Sequence, residues 1–139
     1  MAKDIISKID QQIIRNYTPE YSWYRGGTAP TVQENLGYYL ILNKNLMIVG
    51  FRVYITDVGS PSVNDFFMIS VPTGVAITGD PFPTAGVIYN TDGPTNLVLR
   101  GSVSSNLLSL NYGIGGNQSG NRISNGWLGG FGFVPVKIN

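Results

Sequence analysis

The sequence predicts an all-β fold: an antiparallel β-sandwich of jelly-roll type with one short α-helix at its N-terminus. Short runs rich in β-branched and aromatic residues alternate with Gly, Pro and Asn turns about every ten residues, which is typical of sandwiches. The chain contains 18 Gly and 8 Pro, and 42% of its residues are hydrophobic. Disordered chains are less apolar, and 139 residues are enough for one domain with its own core.

The N-terminal segment is the only one predicted to be helical, over residues 4–15. Asp4 can cap this helix, and Asn16 and Pro19 end it. Isoleucines recur at three- and four-residue spacing and form an apolar stripe of Ile5, Ile6, Ile9 and Ile13. Because so short a helix is marginal alone in water, the stripe needs a packing partner. This partner is either further copies of the helix, in a trimeric or similar bundle, or the β domain of the same chain, and the spacing leaves both open.

A β-hairpin is predicted between Tyr38–Leu42 and Leu46–Thr56, two runs of β-branched and aromatic residues. Among the three polar residues that join them, Asn45 suits a position with positive φ. The second run is long and nearly uncharged, so we expect it to be a central strand that is covered on both faces. Gly50 inside this run indicates a bulge or a close packing contact.

The remaining residues divide into a connection and further strands. Residues 17–37 are predicted as an ordered, aromatic-rich connection between the helical segment, residues 1–16, and a β head domain over residues 38–139. We expect Trp127 to lie in the core of that domain. Further strands are predicted at Phe66–Val71, Val75–Ile77, Ala85–Tyr89, Leu97–Val103, Leu107–Tyr112 and Trp127–Val136.

The composition excludes several kinds of chemistry. The chain has no Cys and no His, so it has no disulfides, no thiolate metal site and no imidazole general base. No Asp or Glu follows Asp92, which leaves few acids for a carboxylate pair of the kind that glycosidases use. The loop aspartates fit turn chemistry, and a calcium site built from two of them is the alternative. We therefore expect no enzyme activity, no metal and no cofactor.

Net charge and hydropathy limit the kinds of partner that we expect for this chain. The net charge of +1 gives no electrostatic footprint for nucleic acid. The longest apolar run is too short to cross a membrane, and polar residues interrupt the isoleucines of the N-terminus, unlike the apolar core of a signal peptide. We expect a protein that is made in the cytoplasm without a signal peptide, and that neither binds nucleic acid nor inserts into a membrane.

Three groups of aromatic and polar residues in predicted loops are candidates for ligand binding. An aromatic ring offers a sugar an apolar face, and Asn, Asp and Arg supply hydrogen bonds. The alternative for Trp23 and Tyr24 is a structural role as plugs, and for the Gly- and Asn-rich loop after Tyr112 it is a solvated connection. The candidates are Trp23, Tyr24 and Arg25 in the first group, Asp57, Asn64 and Asp65 in the second, and Tyr112, Asn117, Gln118, Asn121 and Arg122 in the third.

The order of segments over residues 38–112 resembles the C-terminal β domains of bacteriophage tail-fibre and receptor-binding proteins. The likeness lies in the hairpin of Tyr38–Thr56, in the strand and Pro turn of Phe66–Gly74, and in the later Phe82-Pro83 turn. The resemblance implies a homotrimer with an N-terminal attachment part and a β head that binds host-surface glycan or protein. Trp127–Phe133 is also similar to the closing strand of tumour-necrosis-factor-like and C1q-like trimers.

These observations lead to one expected function and two alternatives. We expect a non-enzymatic virion protein of a phage tail or baseplate, a homotrimer that contacts other virion proteins through its N-terminus and adsorbs to a host-surface saccharide. The first alternative is a capsid or baseplate decoration protein that binds only other virion proteins. The second is a C1q-like or tumour-necrosis-factor-like trimeric ligand, which the missing secretion signal disfavours.

Overall fold

The computed structural model describes residues 13–62, 65–79, 86–90, 97–112 and 123–139. Within these residues the fold is all-β, and its strands form two antiparallel sheets. The predicted fold class, an antiparallel β-sandwich, is therefore confirmed. The strands are β1 Arg15–Tyr17, β2 Tyr21–Trp23, β3 Thr31–Leu42, β4 Leu46–Asp57, β5 Phe67–Ser70, β6 Val75–Ile77, β7 Gly86–Asn90, β8 Leu97–Ser102, β9 Leu107–Tyr112 and β10 Gly126–Ile138.

The two sheets enclose the core between them. The larger sheet has the strand order β1-β3-β4-β10-β6, and β7 also pairs with β10; the smaller sheet has the order β2-β5-β9-β8. Successive side chains of a strand point to opposite faces, so every second residue of β4 is buried: Met47, Val49, Phe51, Val53 and Ile55. The smaller sheet contributes its own buried residues to the same cluster, among them Phe67 and Leu110.

The predicted hairpin is formed by β3 and β4, and its turn differs from the prediction in one detail. Asn43 and Lys44 have positive φ angles, 51° and 64°, and the Asn45 amide donates to the Leu42 carbonyl at 3.2 Å. A type I′ turn requires positive φ at both of its central residues. The prediction that Asn45 takes the left-handed position is therefore wrong. Its carbonyl instead accepts a hydrogen bond from the Val136 amide at 3.0 Å.

Residues 17–37 contain strands rather than a connection. β2 lies in the smaller sheet, where Tyr21 and Trp23 are buried, and β3 already begins at Thr31. The two rings lie on the same face of β2 because a single residue, Ser22, separates them. The buried aromatic residues of the predicted connection, Tyr21 and Trp23, are thus part of the sandwich itself.

The end of the predicted helix over residues 4–15 also differs. Arg15 begins β1 and pairs with Tyr39, so the backbone is already extended at this position. The edge of β3 offers the chain a ladder of hydrogen bonds, which the last turn of a short helix lacks. Ile13 and Ile14 precede the strand and are exposed. The other members of the stripe, Ile5, Ile6 and Ile9, lie outside the described residues.

β3 contains a bulge, because its register with β4 shifts after Gln33. Two residues of β3, Glu34 and Asn35, therefore lie opposite one residue of β4. Glu34 has a φ of 44° and is exposed. The Asn35 side chain is engaged within the protein: its Oδ1 accepts a hydrogen bond from the Tyr21 hydroxyl at 2.9 Å, and its Nδ2 donates to the Pro19 carbonyl at 2.6 Å. The bulge thus presents Glu34 to solvent while Asn35 ties β3 to β2.

Candidate binding site

The face of the larger sheet that is turned away from the core, here called the outer face, carries mostly apolar side chains. Tyr38 of β3 and Phe131 of β10 flank Gly50 of β4 in register. The Tyr38 ring lies directly over Gly50, where any Cβ would overlap it. Tyr38, Phe131 and Leu36 are 37%, 38% and 47% exposed. The close contact expected at Gly50 is therefore a ring laid on the strand, and the face around it is open.

Beside the β3 bulge the outer face forms a cleft, here called the bulge cleft. It has a volume of about 210 Å³ and is lined by Glu34, Asn35, Leu36, Arg52 and Trp127. β3, β4 and β10 each supply part of this lining, so residues that are distant in sequence meet here. Pockets that enclose a drug-sized ligand measure roughly 300–1,000 Å³. The bulge cleft therefore has room for one small group, such as a single ring of a longer molecule that lies across the sheet.

Arg52 and Trp127 form a stacked pair in the bulge cleft. The Arg52 Cζ lies 4.2 Å from the centroid of the Trp127 ring, which is the geometry of a cation–π interaction worth about 0.5–1 kcal/mol at an exposed site. Tyr54 meets the indole edge-on, with 5.1 Å between the ring centroids and an interplanar angle of 78°. Tyr54 and Trp127 are also partners across β4 and β10. The indole and the guanidinium are thus held in place by neighbours on rigid strands.

The polar groups of the bulge cleft can serve both as donors and as acceptors. Within the described part of the chain, the side chains of Arg52 and Glu34 make no hydrogen bond or ion pair. The cleft therefore offers N–H donors from the guanidinium, carboxylate oxygens as acceptors, and the apolar surfaces of Trp127 and Leu36. This combination suits a ring with hydroxyl groups on its rim. Its single carboxylate is not the pair of acids that glycoside hydrolysis uses.

The first group of residues predicted from the sequence, Trp23 to Arg25, is divided between core and surface. Trp23 is 3% exposed. Its Nε1 donates to the Val58 carbonyl at 2.8 Å, and its ring meets Phe67 edge-on at 5.2 Å between centroids. Trp23 thus has the structural role that was the alternative for it, with almost no ring surface left for a ligand. Tyr24 and Arg25 are exposed.

The two described aspartates of the second group hold loops in shape. Asp65 is buried, and its Oδ1 accepts hydrogen bonds from the amides of Arg25 and Phe66, both at 2.9 Å. Its Oδ2 is buried without a hydrogen-bond partner in the described part of the chain. Asp57 has the expected turn role, because its Oδ1 accepts from the Gly59 amide at 2.9 Å. Over the described ranges, no three acidic residues are grouped so that they could hold a metal ion.

The strand registers bring at least one described member of each predicted group to the same end of the smaller sheet. Trp23 ends β2, Phe67 begins β5 and Tyr112 ends β9, and these strands pair side by side. The loops that carry Tyr24 and Asp65 therefore emerge at the same end as Tyr112. The remaining members of the second and third groups, Asn64, Asn117, Gln118, Asn121 and Arg122, lie outside the described residues.

Two residues that give the bulge cleft its character, Arg52 and Trp127, are not among the ligand-binding candidates predicted from the sequence. The expectation that Trp127 lies in the core is wrong: it is half-buried on the outer face. One signal was available, because Arg52 is a lone charge inside an apolar run and a lone charge marks the solvent side of a strand. Its contact with Trp127 depends on the register between β4 and β10, and no local pattern encodes that register.

Comparisons with known proteins give no match. No protein-family model, no curated protein and no solved structure is significantly similar to this chain. The likeness to phage β domains therefore stays a prediction from the sequence pattern. Among the residues that the structure describes, no helix has the length and apolar character needed to cross a membrane.

Proposed function

We propose that this chain is a non-enzymatic recognition protein that binds a saccharide in the bulge cleft. The observation that carries the proposal is the stacked pair of Arg52 and Trp127 beside the exposed carboxylate of Glu34. A sugar ring in this cleft would lay its C–H groups against the apolar walls and direct its hydroxyls at the guanidinium and the carboxylate. Because neighbouring strands already position these groups, binding would cost little side-chain freedom.

The setting that we propose is the tail or baseplate of a bacteriophage virion, with the saccharide on the host surface. Support comes from the resemblance of residues 38–112 to phage receptor-binding β domains. A site of this size, open on one face of a sheet, fits one sugar unit and gives weak affinity on its own. Many copies on one particle would raise the avidity by a factor of roughly 10²–10⁴, which is how a weak site can still adsorb a virion to a cell.

A glycan array probed with the whole chain tests the proposal. We expect binding to a restricted class of cell-surface saccharides, and a loss of affinity of about tenfold or more for Arg52→Gln and for Glu34→Gln, because each removes a charge-assisted hydrogen bond of roughly 1.5–3 kcal/mol. Glu20→Gln is the matched control, since Glu20 is an exposed carboxylate that lines a separate cleft. Binding that is equally tight in all three variants, or binding to no saccharide, would count against the bulge cleft.

A structural virion protein that binds only other virion proteins is the second candidate, and the apolar outer face favours it. Leu36, Tyr38 and Phe131 are exposed on neighbouring strands, and contiguous exposed apolar surface marks sites of protein contact. Cosedimentation with virions that lack the protein, together with no adsorption to host cells, would select this function. Phe131→Asp should then abolish the cosedimentation while Glu34→Gln leaves it intact.

A further inference from the structure

The end of the outer face near the β3–β4 turn is apolar, and its side chains stay partly exposed. This apolar half is formed in register by Leu40, Leu42, Leu46, Ile48 and Phe133. All five are half-buried. Because β4 is nearly uncharged, we expect both of its faces to be covered. In the described part of the chain, only the face toward the core is covered. The bulge cleft lies at the opposite end of the same face.

The chain enters the described part of the structure at the edge of the apolar half. β1 is antiparallel to β3, with Arg15 opposite Tyr39, so the residues before Arg15 run toward the end of β3 that carries the apolar half. Ile13 and Ile14 are 54% and 66% exposed at this point. Two consecutive exposed isoleucines thus lie beside a partly exposed apolar surface, and covering both would remove apolar area from water.

We propose that residues 4–12 fold back onto the apolar half of their own chain and seat Ile5, Ile6 and Ile9 on it. Of the two uses that the sequence leaves open for the isoleucine stripe, this one is favoured because the chain enters beside the apolar half and the segment is long enough to cross it. β1 and β10 are three strand spacings apart, or about 14 Å. Nine residues span about 13 Å as a helix and about 30 Å when extended. The helix, which alone presents Ile5, Ile6 and Ile9 on one side, therefore has about the length needed to cross from β1 to Phe133.

The docked segment would cover the apolar half of the outer face and leave the bulge cleft accessible. With the isoleucine stripe in place, β4 has apolar cover on both faces, as its composition predicts. The residues between the isoleucines, among them Ser7, Lys8 and Gln11, are polar and would face solvent on the other side of the segment. The cover lies at the turn end of the face, away from Glu34, so the docking and the proposed saccharide site are independent of each other.

A spin label on the segment tests the docking in the whole chain. Because the chain has no Cys, Ser7→Cys creates a single attachment site for a nitroxide. In the isotope-labelled protein we expect the label to remove most of the amide signal intensity of Leu40, Ile48 and Phe133. The amide of Leu108, in the smaller sheet on the far side of the core, should lose less intensity, since packed sheets are about 10 Å apart and it is farther from the label by about that distance.

Two variants of the spin-labelled chain distinguish docking from mere proximity to β1. Ile9→Asp should restore the Phe133 signal, because an unpaired charge cannot be buried on an apolar surface. Gln11→Asp adds the same charge on the polar side of the predicted helix and should leave the loss of signal unchanged. Unaltered amide positions in the smaller sheet will show that each variant is folded.

A mixed sample separates this chain's own segment from that of another copy. It combines isotope-labelled chain without a spin label and spin-labelled chain without isotopes, and we expect no loss of signal in it. Signal loss in the mixture would overturn the proposal in favour of exchange between copies. A full Phe133 signal in the singly labelled chain, or signal loss that persists in Ile9→Asp, would overturn it as well. None of these readouts needs a ligand, so their failure would leave the saccharide proposal untouched.

Discussion

Asp65→Ala removes the acceptor of two buried hydrogen bonds and should destabilise the sandwich. The amides of Arg25 and Phe66 both donate to its Oδ1 at 2.9 Å. A hydrogen bond to a charged group contributes roughly 1.5–3 kcal/mol, so the pair contributes about 3–6 kcal/mol. Against this, the variant no longer buries Oδ2, which has no hydrogen-bond partner in the described part of the chain, and such a buried atom costs about 1–3 kcal/mol. The expected net loss is about 2–3 kcal/mol.

Urea unfolding measures this loss directly, and thermal unfolding should show a melting temperature lower by about 10–15 °C for a chain of this size. Asp65→Asn keeps an acceptor at Oδ1 and should lose only about 1 kcal/mol. Asp57→Ala is the matched control: its bond to the Gly59 amide lies in an exposed turn, so its removal should cost less than about 1 kcal/mol. An Asp65→Ala chain within about 1 kcal/mol of wild type would refute the reasoning, because the two amides would then have found other partners at no cost.

Two further predictions concern a loop glycine and two buried phenols. Gly59 and Gly74 both have positive φ, 81° and 85°, so backbone strain affects an alanine at either position. Only at Gly59 would a Cβ also overlap a backbone carbonyl. Gly59→Ala should therefore destabilise the fold by about 1–3 kcal/mol more than Gly74→Ala in urea unfolding. Equal losses would contradict this. Burial raises the pKa of the Tyr17 and Tyr21 hydroxyls, so their contribution to stability is complete below about pH 10 and falls as the pH rises above it. Tyr21→Phe should reduce the fall in the urea midpoint between about pH 9 and pH 11, and an unchanged fall would contradict this.

Most strands could be predicted because local patterns encode them. The runs Tyr38–Leu42 and Leu46–Thr56 lie inside β3 and β4, and Leu107–Tyr112 is β9. Errors arose where pairing between distant segments decides the conformation. Isoleucine spacing extends the predicted helix to Arg15, yet that residue joins the edge of β3. The segment before Thr31 likewise becomes β2, because the smaller sheet has an edge at β5 that accepts it.

The bulge cleft could not be predicted, because a register and a bulge create it. Shifting β10 by one residue along β4 would turn Trp127 into the core and expose Leu128. Glu34 reaches the cleft only because the backbone bulges there with a φ of 44°, an angle that is uncommon for a residue of this kind. Composition alone marks the loop candidates, and composition does not distinguish a buried ring such as Trp23 from a ring that a ligand can reach.

The most direct test of saccharide binding at the bulge cleft follows the indole signals of the two tryptophans while an isotope-labelled sample is titrated with the saccharide selected by the array. Trp127 lines the cleft, and Trp23, whose Nε1 is bound to the Val58 carbonyl in the core, serves as the internal reference. We predict a saturable shift of the Trp127 signal and a stationary Trp23 signal. In Arg52→Gln the Trp127 signal should no longer shift when the saccharide is added. Saturable binding that moves the amides around Tyr24 and leaves Trp127 unmoved would contradict the proposed site.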